Sequence, residues 1–113
     1  MTRADVLRRL AVAHAQEAAA IQAQAAAVRQ RVEANEQIAA AEDQHADVLV
    51  DDDPDESARL RQHAGITRME TQTLQVEATR YEAERRRAEH RARSDQEAAE
   101  RQDQTDRNAF VHQ

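Results

Sequence analysis

Read in sevens from Leu7, the chain places Leu7, His14, Ile21, Val28, Asn35, Glu42 and Leu49 one heptad apart. Four residues after each of the first six come Ala11, Ala18, Ala25, Val32, Ala39 and Ala46. Alternating steps of four and three are the period of a coiled-coil seam, with a large or polar residue in one row and a small one in the other. The pattern predicts one long helix over about residues 3–49. Beside the seam runs another heptad-spaced row, Ala13, Ala20, Ala27, Ala34 and Ala41, which widens the alanine face.

The second half repeats the period from Leu60 through Thr67, Leu74, Tyr81, Ala88 and Asp95, accompanied by Ala64, Thr71, Ala78, Arg85, Ala92 and Ala99. It predicts a helix over about 55–108, followed by a polar C-terminal tail that frays or finds a partner. Two such segments around a short corner predict an all-α protein, a long antiparallel two-helix hairpin with an Ala-rich coiled-coil seam, forming a single domain. If Leu49 faces Leu60, then Val32 faces Ala78, Val28 faces Tyr81, Ile21 faces Ala88 and His14 faces Asp95. Large side chains meet small ones in the first three of these layers, which lets facing rows interdigitate at close spacing.

The corner, residues 50–54, is acidic: "VDDDPDESARL" sets four aspartates and a glutamate around the chain's one proline. Asp53 as N-cap, Pro54 at the first helical position and Glu56 three residues after the cap match a capping box, with proline where its missing N–H costs nothing. A calcium-binding loop would need glycine at its sixth position and glutamate at its twelfth, where this chain has Glu56 and Gln62. The cap accounts for the proline as well as the acids. Further on, Gly65 followed by "TRME" could end one helix and start another, so the second arm is either broken near Gly65 or continuous with its heptad phase intact.

Composition fits this picture. Of 113 residues, 40% are hydrophobic and 25 are alanine; the aromatics are Tyr81 and Phe110. An alanine methyl buries little area, so the chain can build a thin core and not a thick one. One glycine and one proline leave no punctuation for sheets or phosphate-cradling loops. The absence of cysteine excludes disulfides, thiolate metal sites and cysteine nucleophiles. The early arginines are followed by an apolar run that His14, Gln16 and Glu17 interrupt, which makes a poor signal peptide. The uncharged stretch from Ala18 to Val28 is too short to span a bilayer. Cytoplasmic location, or location in an assembled particle, is the expectation.

Candidate chemistry is sparse. The histidines His14, His45, His63, His90 and His112 form no i, i+3 or i, i+4 pair, although the hairpin register brings His45 and His63 near Asp47. His14 opposite Asp95 and the seam residue Asn35 are candidates for fixing register. No metal, cofactor or small-molecule substrate is implied. Arg80, Arg85, Arg86, Arg87, Arg91 and Arg93 crowd one stretch and invite a nucleic-acid reading, but Glu82, Glu84 and Glu89 share it and the chain carries a net charge of −6. A single-layer hairpin offers no concave pocket for tuning a catalytic group, so an enzyme is not expected.

The expected function is therefore structural or adaptor: self-association, or docking into a multi-subunit particle such as a virion or secretion apparatus. The contact face would comprise Ala11, Ala18, Ile21, Ala25, Val28 and Val32 together with the row from Ala13 to Ala41, and the hairpin seam is marked by Leu49, Leu60, Leu74 and Tyr81. Nucleic-acid regulation through Arg80 to Arg93 is an alternative. In length and hairpin shape the chain also resembles the small helical-hairpin proteins of type VII secretion, which implies export without an N-terminal signal peptide. That family's Trp-x-Gly turn is replaced here by Asp51-Asp52-Asp53-Pro54, and its Tyr-x-x-x-acid motif by Tyr81 followed four places on by Arg85.

Overall fold

The computed structural model describes residues 1–111, and among them two helices account for the fold: α1, Arg3–Leu49, and α2, Pro54–Val111. His112 lies outside the described residues. Thr2 starts α1 by a reciprocal cap. Its Oγ1 accepts from the Asp5 N–H at 3.1 Å, and the Asp5 carboxylate accepts from the Thr2 N–H at 3.1 Å, so two donors at the helix start are satisfied at once.

The corner is held from both sides. Asp53 N–H donates to the Leu49 carbonyl at 2.8 Å, and the Asp53 carboxylate accepts from the Glu56 N–H at 3.2 Å. Asp53 thus links the end of α1 to the start of α2, with Pro54 as the first helical residue. The reciprocal arm of a capping box is not made, because the Asp53 N–H is already taken by Leu49. The Glu56 carboxylate turns instead to Arg59, whose Nε lies 2.7 Å away. Ser57, buried, donates its hydroxyl to the Ala46 carbonyl at 2.7 Å. That carbonyl belongs to the last turn of α1, where it has no partner within the helix.

α2 passes through Gly65 without interruption, so the break considered there does not occur. Among the described residues none has positive φ, and the seam residues on either side of the glycine, Ala64 and Thr67, are both buried. Keeping that phase retains burial that a break would lose. The polar end of α2 also remains helical, to Val111 rather than to about residue 108. Side-chain bonds one turn apart support it, Gln102 to Asp106 at 3.0 Å and Gln104 to Asn108 at 3.1 Å.

Contacts divide the chain into two compact units, one of Gln24–Arg80 and one joining Met1–Ala23 to the part of α2 from Tyr81 onward. In the first, Ala25, Val28, Ala39 and Ala46 of α1 and Leu60, Ala64, Thr67, Thr71, Leu74 and Ala78 of α2 are buried. Antiparallel register is visible in its ion pairs, Arg68 with Asp43 and Arg61 with Asp47. In the other unit the buried residues include Ala4, Ala11 and Ala18 of α1 and Ala88 and Ala99 of α2. Arg8 pairs there with Asp103, Arg91 with Glu17 at 3.5 Å, and His14 Nδ1 lies 2.7 Å from an Asp95 carboxylate oxygen, the pairing that the register predicts. Both units therefore repeat the hairpin's antiparallel packing.

Candidate interaction surfaces

The heptads decide which side chains are used up by the hairpin. Among the contact-face residues expected from sequence, Ala11, Ala18, Ala25 and Val28 are buried and Ile21 and Val32 half-buried, so the intramolecular seam already occupies them. Ala13, Ala20, Ala27, Ala34 and Ala41 are all exposed. The row does not widen the seam as expected but lies toward the far side of the helix, because at about 100° per residue it is carried more than a right angle round from the buried row Ala11, Ala18 and Ala25. Val6 and Val48 extend that row at the same spacing, and they are exposed too. Leu60 and Leu74 are buried in the seam, while Leu49 and Tyr81 are half-buried.

A second exposed stripe lies on α2 within the unit Gln24–Arg80. Ile66, Met69 and Val76 are 47%, 69% and 71% exposed, and with Thr73 they follow steps of three, four and three. They point away from the seam. The reading of sequence alone passed over them, although their spacing was there to be seen. The Thr2–Asp5 cap and Ser57 were missed in the same way: the first carries a Thr-x-x-Asp signature, and the second sits one heptad before Ala64.

Polar seam positions are partly satisfied. One carboxylate oxygen of Glu42, 17% exposed, lies 2.6 Å from His63 Nδ1 and accepts from it in the tautomer that carries the Nδ1–H, while the other carboxylate oxygen is buried with no partner. Asn35 is half-buried. His63 is drawn to Glu42 and Asp47 to Arg61, so His45, His63 and Asp47 do not assemble as ligands, and among the described residues no group of three or more His, Cys, Asp or Glu could hold a metal.

The arginine-rich stretch is partly committed to its own chain. Arg85 pairs with Glu89 at 2.9 Å and Arg91 with Glu17, whereas Arg86, Arg87 and Arg93 are exposed. Near Arg93 there is a shallow depression lined by Ala15, Ala19 and Gln22 of α1 and by Glu89 and Ala92 of α2. It is open to solvent and holds no desolvated acid or base.

Three groups have displaced acidities. The Thr2 backbone N–H, then its hydroxyl, hold the Asp5 carboxyl below the usual aspartate value. Glu56 is lowered by its hydrogen bond to Arg59, and Arg59 is raised by the same bond. All three belong to helix starts, and none to a cleft. Among the described residues no helix is long and apolar enough to cross a membrane. No protein-family model matches the chain, and no curated protein or solved structure matches it.

Proposed function

We propose that this chain is a non-enzymatic structural or adaptor protein that self-associates, or docks into a larger helical assembly such as a virion or secretion particle, through the alanine face of α1. The observation that carries this reading is the exposed row Ala13, Ala20, Ala27, Ala34 and Ala41, left over after the seam is filled. Small side chains let a second helix approach closely along its length, and a heptad repeat keeps that contact in step over several turns. The seam itself is thin. No large side chain is fully buried among the described residues, so further helical contact adds stability that the hairpin lacks.

Sedimentation at micromolar concentration under native conditions tests the proposal. A multimer is expected, with a melting midpoint that rises as the protein is concentrated, because association draws on the folded state. A monomer that unfolds cooperatively at a concentration-independent midpoint would sink it.

A further inference from the structure

Within the unit Gln24–Arg80 two faces are left without partners, and they differ in kind. α1 offers small residues, Ala27, Ala34 and Ala41, separated by the neutral side chains Gln30 and Gln37. α2 offers large ones, Ile66, Met69 and Val76. Both stripes keep the 4-3 spacing of a coiled-coil seam, so each can serve as one half of such a seam. Large knobs fit small rows better than large on large or small on small.

Charges at the borders choose the pairing and its direction. In the hairpin, Asp43 follows the seam residue Glu42 and Arg68 follows the seam residue Thr67, and antiparallel packing brings those two together. Arg31 stands in the same relation to Gln30, and Glu70 to Met69. Antiparallel packing of the α1 stripe on the α2 stripe, with Gln30 facing Met69, therefore sets Arg31 against Glu70, while Glu33 on the other border meets Gly65, which carries no charge. Parallel packing would instead set Glu33 against Glu70. The like pairings are worse: two α2 stripes packed antiparallel oppose Glu70 to Glu70, and two α1 stripes packed antiparallel oppose Arg31 to Arg31.

We infer that the occupant of the α1 alanine stripe is a second copy of this chain, which lays its Ile66, Met69 and Val76 stripe antiparallel along it so that Ile66 meets Ala34 and Thr73 meets Ala27, an assignment that rests on the self-association proposed above. Each stripe lies on the side of its helix away from the seam, so the two faces of one unit point in opposite directions. One pair of molecules cannot satisfy all four faces. The contact is heterologous, joining the α2 of one copy to the α1 of the next, and it propagates into a ring or an open row.

Two surface variants test this, each first checked by circular dichroism for unchanged helix content. Ala34→Glu blocks the α1 stripe and Met69→Glu the α2 stripe. Burial of an unpaired carboxylate should weaken self-association of either variant more than about tenfold, leaving it monomeric where the parent forms species larger than a dimer. Mixed in equal amounts, the two should form a dimer and stop there, because one intact α2 stripe meets one intact α1 stripe. Arg31→Glu should weaken assembly, and adding Glu70→Arg in the same chain should restore it. If the parent assembles while the mixture stays monomeric, or while either blocked variant still forms the full assembly, the stripe pairing is wrong and the assembly reading stands. If the parent is monomeric throughout, both fall.

Discussion

Gly65 has an ordinary helical backbone, and a methyl group added to it would meet nothing within 4 Å. Its lack of a side chain therefore serves no close approach and no turn. Glycine inside a helix costs about 0.5–1 kcal/mol relative to alanine, through the freedom it loses on folding. Gly65→Ala should stabilise the chain by about that much, read as a rise of several degrees in melting midpoint; a fall would mean that the glycine has a role absent from the hairpin. Acid dependence also belongs to single residues. Asp5 and Glu56 have folded acidities below their unfolded values, so each contributes stability that is present above the unfolded pKa and lost as pH falls through the folded one. Asp5 is exposed and Glu56 partly exposed, and the contribution is small. From about pH 5 downward, Asp5→Asn combined with Glu56→Gln should lose less helix signal with falling pH than the parent. Equal slopes would show that these caps do not titrate with folding.

At the scale of the element, the end of α1 is the instructive place. A helix leaves its last carbonyls unpaired, and α1 has no basic residue in its last turn to soften that. Two groups from the corner and the start of α2 fill the gap, the Asp53 N–H on Leu49 and the Ser57 hydroxyl on Ala46. Ser57→Ala would strand a buried carbonyl at a cost of about 1–3 kcal/mol. Chemical denaturation should report that loss with an unchanged slope; no change in midpoint would mean that water takes over the carbonyl. The heptads of both helices were readable because alanine, leucine and threonine recur at fixed spacing, and burial follows those rows. Asp53 as cap was readable for a similar reason, since its signature is local. That Glu56 turns to Arg59 was not, because the competing claim on the Asp53 N–H comes from Leu49 across the corner.

For the whole molecule the question is how much helix surface one chain can cover. Charge opposes assembly, since copies at −6 repel, so the contact between them has to come from neutral rows and locally matched ions such as Arg31 and Glu70. Salt that screens the net charge would help association of this kind, whereas it would weaken phosphate binding by the arginines. The sequence by itself determined the helical class, the heptad period and the corner, because spacing, capping and the scarcity of glycine and proline act within a few residues of one another. Only the tertiary structure decided which alanines are spent. Ala11, Ala18 and Ala25 are buried while Ala13, Ala20 and Ala27 remain exposed, two residues further along the same helix. The sequence offers both rows alike. Choosing between them takes a partner helix, whose seam can lie against only one stripe and whose ion pairs hold it there.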